Sequence, residues 1–240
     1  MRYAVISDIH GNLEALNSVI ESCHRSGVDS FICAGDIVGY GANPRECLDI
    51  IREHRVISVA GNHDLAVAGK IDASYFIPEG KAAIAWCRKL LSFEDFDFLN
   101  ALPLVLKNNY LIIVHASLNH PERFKYLYDI INATDTFYLM DRAVCFIGHT
   151  HRPQIFIQKN GRLFFSNELS IELSTGCKYI VNVGSVGQPR DSNPMACYCI
   201  YDTDLNMIEV KRVAYDIKSA QRKIIEAGLP EVLAYRLASG

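Results

Sequence analysis

Long apolar runs are missing from these 240 residues. None approaches the ~18 residues that would suggest a membrane-spanning helix. The N-terminus passes from Met1-Arg2 through a short apolar run to Asp8, without the shape of a secretion signal. A surplus of positive charge is missing too. Lys and Arg number 24 against 27 Asp and Glu, a formal net charge of −3. The chain therefore lacks a general means of displacing counterions from nucleic-acid phosphates, which argues against a nucleic-acid partner. No block of like charge is long enough to form a solvated tail. Paired cysteine motifs are a further absence. The 8 cysteines are scattered (Cys23, Cys33, Cys47, Cys87, Cys145, Cys177), apart from Cys197-Tyr198-Cys199, and no C-x-x-C occurs. Several sit inside apolar runs such as Phe31-Ile32-Cys33-Ala34, so they read as small buried thiols rather than a disulfide or zinc framework. Unpaired thiols suit a reducing compartment, and a cytoplasmic location is expected. What the chain does have is core: 50% of it is hydrophobic. That is enough for one substantial core, and without repeats, low-complexity stretches or a linker a single domain over residues 1–240 is expected. Oligomeric state is not legible.

The first half alternates strand and helix patterns. Tyr3 to Ser7 is a compact apolar run ending in Asp-Ile-His-Gly. Asn12 to Arg25 places Leu13, Leu16, Val19 and Ile20 at helical spacing, with Gly27 as a stop. Ser30 to Ala34 reads as a strand followed by Gly-Asp, Pro44 to His54 as a helix with Pro in its first turn, and Val56 to Ala60 as a strand followed by Gly-Asn-His-Asp. This β-α-β-α-β order predicts an α/β sandwich with right-handed crossovers. Helices are expected at Glu79–Leu91 and Phe93–Leu102, and strands at Leu104–Lys107, Tyr110–Val114 (ending in His115) and Val144–Ile147 (ending in Gly-His-Thr-His). Gln154–Gln158 and Leu163–Phe165 form a hairpin about Asn160-Gly161. Strands at Lys178–Val183, Ala196–Tyr201 and Met207–Val213 and helices at Asp216–Ala227 and Pro230–Leu237 complete the chain.

One design recurs: an apolar strand, then a tight turn bearing metal-competent side chains. It appears at Asp8-Ile9-His10, Gly35-Asp36, Gly61-Asn62-His63-Asp64, His115 and Gly148-His149-Thr150-His151. Strand C-termini form the ligand-binding rim of α/β sheets, so these distant segments can converge. The glycines are read as supplying permissive backbone where a strand stops sharply. The D-x-H and H-x-H spacings suit paired ligands, because side chains two apart in an extended segment share a face. Carboxylate, imidazole and amide oxygen without thiolate favour Mn²⁺, Fe, Zn²⁺ or Ni²⁺ over a sulfur-rich structural zinc. Asp8, His10, Asp36, Asn62, His115, His149 and His151 are too many donors for one tetrahedral ion and enough for two, with Asp36 as the bridge. Two ions about 3.5–4 Å apart can hold a bridging hydroxide and neutralise charge on a phosphoryl group. His63, next to a candidate ligand, is placed to act when protonated on the phosphoryl oxygens or the leaving group, with Asp64 fixing its orientation.

This ordered set resembles the calcineurin-like metallophosphoesterases, from Met1 to about Tyr201. The resemblance implies a four-layer α-β-β-α sandwich with the site at the strand ends. It implies that Asp8, His10, Asp36 and His151 hold one metal ion, that Asp36, Asn62, His115 and His149 hold a second, and that His63 is the catalytic histidine. The stretch from Asn182 to Asp191 looks like one found in small bacterial and archaeal members, often described as phosphodiesterase-like. The expected activity is metal-dependent hydrolysis of a small phosphodiester or phosphomonoester. A serine/threonine protein phosphatase-like or dinucleoside-polyphosphate hydrolase activity stays open, as does a non-catalytic protein-binding scaffold on the same fold. Scaffold members show broken ligand or histidine positions, and this chain breaks none.

Other residues carry weaker readings. Arg190 is placed to touch a substrate phosphate or, equally, to pair with an acidic neighbour. Tyr40 either lines the substrate cleft or packs within a turn. Gly184-Ser185-Val186-Gly187 fails the G-x-S-x-G nucleophile pattern because position 183 is Val, and Gly39-Tyr40-Gly41 lacks the third glycine of a dinucleotide fingerprint. Cys197 and Cys199 would share one core-facing side of a strand. His24, His54 and His120 read as surface or helix-end residues. The segment from Asn119 to Tyr128, rich in Arg, Lys and Tyr, either shapes specificity or is a solvated loop.

Overall fold

A computed structural model describes residues 1–166 and 168–240. Strands β1 (Arg2–Ile6), β2 (Ser30–Cys33) and β3 (Ile57–Ser58) alternate with helices α1 (Leu13–Arg25) and α2 (Pro44–Glu53). The Asn12 side chain caps α1 by accepting the Ala15 N–H at 3.1 Å, and Leu16, Val19, Ile20 and Cys23 line its buried face. There follow α3 (Asn62–Val67), α4 (Pro78–Leu90), α5 (Phe93–Ala101), β4 (Val105–Lys107), β5 (Leu111–Val114), α6 (Ile130–Leu139) and β6 (Val144–Ile147). The chain continues through β7 (Gln154–Lys159), β8 (Arg162–Ser166), β9 (Ser170–Glu172), β10 (Cys177–Asn182), β11 (Ala196–Asp202), β12 (Met207–Val213), α7 (Ile217–Glu226) and α8 (Glu231–Tyr235).

Three of these elements were not expected. Helix α3 begins inside the Gly61-Asn62-His63-Asp64 motif and is only 6 residues long, too short for a period to register. Helix α6 is built of Ile, Asn, Thr, Asp and Phe, residues of modest helix propensity, and is held by burial of Ala133, Thr136 and Phe137. Strand β9 has 3 residues and pairs with the edge of β12.

The strands form two six-stranded sheets, ordered β3-β2-β1-β11-β12-β9 and β4-β5-β6-β10-β7-β8. Strand alternation explains why they stack. In β1, Ala4 and Ile6 face a helical layer that includes α1 and α2, while Tyr3 and Val5 face the second sheet. In β6, Val144 and Phe146 point back at the first sheet, whereas Cys145 and Ile147 meet Ala133 and Phe137 of α6. The result is a four-layer α-β-β-α sandwich, the architecture that the motif resemblance implies. Cys197 and Cys199 both face the inter-sheet core, and Tyr198 between them faces the helices. All 8 cysteines are free and buried, and burial pushes the Cys23 thiol up to about 12. Among the described residues no helix is long and apolar enough to cross a membrane.

Because the layer between the sheets is closed on both sides, it should resist truncation. Phe146→Ala is expected to cost about 3–5 kcal/mol in urea unfolding, while Phe165→Ala, at a half-exposed position on the edge strand β8, should stay within about 0.5 kcal/mol. Similar costs at both positions would contradict this layer assignment.

Candidate metal centre

The topology brings the motif residues to one place. Strands β1, β2 and β3 run parallel in the first sheet, and β5, β6 and β10 run parallel in the second. Their carboxyl ends share a rim, so Asp8, Asp36 and Asn62 from one sheet meet His115, His149 and His151 from the other. Three groups of donor atoms lie within 4.8 Å of one another: Asp8, His10 and His151; His10, Asp36 and His63; Asp36, His115 and His149.

The turns that present these residues are not extended. Asp8, His10, Asp36, His149 and His151 all have φ between +50° and +68°, in the left-handed region that costs an L-residue on the order of 1 kcal/mol. Convergence of the D-x-H and H-x-H pairs therefore comes from left-handed turns, not from the pleat of a strand. Backbone bonds hold the turns in place: the N–H groups of Asp8 and His10 donate to the carbonyls of Gly35 and Asp36, each at 2.9 Å. Gly35, with φ +97°, supplies the permissive backbone expected, but the other two motif glycines serve a different purpose. Gly61 and Gly148 leave room, because a Cβ at Gly61 would strike the Asp36 carboxylate and one at Gly148 would strike Ser7 Oγ and the Asp8 carboxylate.

Second hydrogen bonds fix the rings. Nδ1 of His10 faces the Val38 carbonyl at 3.2 Å, that of His151 the Gln188 carbonyl at 2.5 Å, and that of His115 the Ala34 carbonyl at 2.7 Å. A carbonyl only accepts, so each Nδ1 carries a proton, and in the neutral ring Nε2 is left as a lone pair, the arrangement of a metal-binding histidine. The Nε2 atoms of His10 and His151 are then two lone pairs only 3.1 Å apart, which repel unless a cation lies against both. Asp36 Oδ2 sits 3.7 Å from His10 Nε2 and 3.3 Å from His115 Nε2. Its other oxygen accepts the His63 N–H at 2.8 Å. One carboxylate oxygen thus faces both groups. Asn62 Oδ1 is buried without a partner, a donor waiting for a Lewis acid. This set fits divalent cations.

Electrostatics agree with that fit. Burial opposes ionisation of Asp8 and Asp36, but nearby imidazoles, led by His151 at Asp8 and His115 at Asp36, outweigh it and hold both below the usual carboxylate range. Burial likewise works against charge on His115, yet Asp36 raises it to about 9. Burial pushes His149 down to about 3 and also lowers His10 and His151.

His63 opens the first turn of α3, with its ring against His10, Tyr40 and Phe76 at centroid distances of 4.8, 4.5 and 4.9 Å. Its Nδ1 is buried and unpartnered. Burial pushes its pKa down to about 4, against the pull of the Asp36 charge. Asp64 does not orient it. The Asp64 carboxylate instead accepts the N–H groups of Asp36 (2.8 Å), Ile37 (2.9 Å), Val38 (3.1 Å) and Gly61 (3.0 Å), clamping the turn after β2 to the start of α3. Burial and then the Asp36 charge push Asp64 up to about 7, against the pull of these N–H donors.

The site opens into a cleft of about 540 Å³. Tyr40 and Arg190 both line it, the guanidinium lying over the tyrosine ring at 5.7 Å. The acidic neighbour of Arg190, Asp191, pairs instead with Arg212. Sequence reasoning did not name Phe76, Phe124, Tyr126 or Arg236 as cleft residues. Tyr126 stacks on His149 at 4.0 Å and Phe124 stands edge-on to His115 at 5.9 Å. The only signal for these two was the aromatic, basic texture of Asn119–Tyr128. His24, His54 and His120 lie away from the site, His24 and His54 beside Phe31 and His120 exposed.

A two-sheet sandwich with carboxylates and imidazoles gathered at the strand ends defines a class of metal-dependent α/β proteins. The sequence matches the calcineurin-like phosphoesterase superfamily domain over residues 1–206, and the chain belongs to that family. It is 45% identical over 246 aligned residues to uncharacterized protein MJ0912 of Methanocaldococcus jannaschii, covering 99% of this chain and 97% of that one. It is 26% identical over 215 residues to phosphodiesterase YfcE of Escherichia coli, covering 85% and 89% of the two chains. The crystal structure of a metallophosphoesterase from Sphaerobacter thermophilus superposes with a TM-score of 0.86 at 38% identity, over 100% of this chain and 98% of the other.

Removing the Asp64 carboxylate would strand several buried N–H donors, each costing about 1–3 kcal/mol. Asp64→Ala is therefore expected to lower unfolding stability by about 3 kcal/mol or more and to weaken metal binding with it. Denaturant titrations with and without added Mn²⁺ check this, and an unchanged midpoint would contradict the clamp.

Proposed function

We propose that the chain is a dinuclear-metal phosphoesterase that hydrolyses a small phosphate ester, with a phosphodiester as the preferred substrate. The observation that carries this reading is Asp36 Oδ2, which faces the His10 side at 3.7 Å and the His115 side at 3.3 Å. Asp8, His10, Asp36 and His151 would hold one ion, and Asp36, Asn62, His115 and His149 the other. The donor chemistry suits Mn²⁺, Fe, Zn²⁺ or Ni²⁺. Two such ions supply positive charge to the phosphoryl oxygens and a water nucleophile of lowered pKa.

The chain's own residues do the rest. His63 lines the cleft, where its imidazole, once protonated, can give a proton to the departing oxygen. Tyr40 and Phe76 pack on its two sides and limit its motion. The aromatic walls exclude water and hold the ester arm, and Arg190, above Tyr40, is placed to bind an anionic substrate oxygen. The name of the relative YfcE, a phosphodiesterase, supports the ester class. A complete ligand set speaks against a non-catalytic scaffold. A cytoplasmic location is in keeping with the free, buried thiols.

The Mn²⁺-loaded protein should hydrolyse bis-p-nitrophenyl phosphate and lose that activity on chelation. An inert, metal-loaded protein across a panel of mono-, di- and nucleotide esters would sink the reading. His63→Ala should keep its metal content by elemental analysis while kcat falls roughly 10²–10⁴-fold. Asp36→Ala, by contrast, should weaken binding of both ions, and loss of a single ion would show that Asp36 is no bridge.

A further inference from the structure

The family match ends at residue 206, but the chain continues into α7 and α8, which fold back over the turn containing Tyr40. Leu229, Leu233 and Leu237 pack with Tyr40 and Ala83. This packing carries Arg236, at the end of α8, into the wall of the cleft that also holds Arg190. Both arginines are partly buried. Elsewhere buried guanidinium charge is matched, as in Arg52 with Asp95 and Arg212 with Asp191. Here it is not: among the described residues neither Arg190 nor Arg236 forms an ion pair with a carboxylate. Arg190 donates to Gln188 Oε1 at 2.9 Å, and its Nε is buried with no partner. Burial and the neighbouring Arg190 charge lower the pKa of Arg236, while Tyr40 and Glu79 pull it the other way. Two like charges held together in a cleft are costly unless an anion joins them, and guanidinium forks suit phosphate.

We propose that Arg236 and Arg190 form a second anion subsite, which holds a phosphate group of the substrate other than the one being hydrolysed. The Tyr40 ring sets its position. That ring touches His10 and His63 at 4.7 and 4.5 Å and lies beneath Arg190, so the guanidinium is a ring's breadth from the catalytic cluster. The substrate class is a phosphoester with a second phosphate on one arm. This proposal rests on the phosphoesterase reading, and its test separates the two.

Two matched esters serve as probes: thymidine 5′-(p-nitrophenyl phosphate) and the same ester with a 3′-phosphate. The metal-loaded enzyme should favour the second by about tenfold or more in kcat/KM. Arg236→Gln should remove most of that preference and Arg236→Lys, which keeps the charge, should retain part of it. Equal kcat/KM for the two esters would overturn the proposal, as would an Arg236→Gln variant that slows both equally. Binding gives an independent readout. Calorimetry on metal-loaded His63→Ala protein should show thymidine 3′,5′-bisphosphate binding about tenfold tighter than thymidine 5′-monophosphate, with the difference lost on adding Arg236→Gln. That outcome would uphold the subsite even if neither ester were hydrolysed, and equal affinities would refute it.

Discussion

Asp8 and Asp36 are almost wholly buried carboxylates held below the usual carboxylate range, and much of the architecture follows from keeping them so. An isolated buried carboxylate would take up a proton. Here imidazoles converge on the pair from the opposite sheet, and the backbone N–H groups of His63 and His149 point at them. Asp36 in turn raises the His115 imidazole to about 9. Hydrogen bonds from the turns to these carboxylates and to the rings that face them set the donors in place. That pre-organisation is why the two sheets must stack with their parallel strands ending on a common rim.

The strand-end turns were legible because their chemistry is local: an apolar run followed by Asp, Asn or His within a few residues is visible without knowing the fold. The Pro44 start of α2 was legible for the same reason. Other features depend on contacts across the chain. The left-handed backbone at Asp8 and His10 leaves no trace in composition, and a D-x-H spacing reads equally well as a strand. The clamp of Asp64 on the turn after β2 joins positions 28, 27 and 26 residues apart, so proximity to His63 in sequence suggested the wrong partner. Gly61 and Gly148 were recognised as special but for their torsional freedom, when the constraint is the carboxylate pressed against them. Helix α6 was missed because its residues are weak helix formers that tertiary packing overrides.

The cleft walls come from parts of the chain that differ in character from the motifs. Segment 119–128 supplies Tyr126 and Phe124, which lie against His149 and His115, and the C-terminal helices supply Arg236. Neither contributes to the cluster of donors. On the proposed reading this division would put the reaction on the sandwich rim and the choice of ester on its surroundings.

The left-handed turns also complicate how this molecule can be dissected. An alanine placed at His10 or His151 removes an imidazole and also puts a residue with a poor tolerance of positive φ where the backbone demands it. Two penalties are then read as one, and a loss of binding overstates what the ring contributed. Glycine adopts the same torsion without strain and offers no donor atom. It is the substitution that would separate loss of the ring from strain in the backbone.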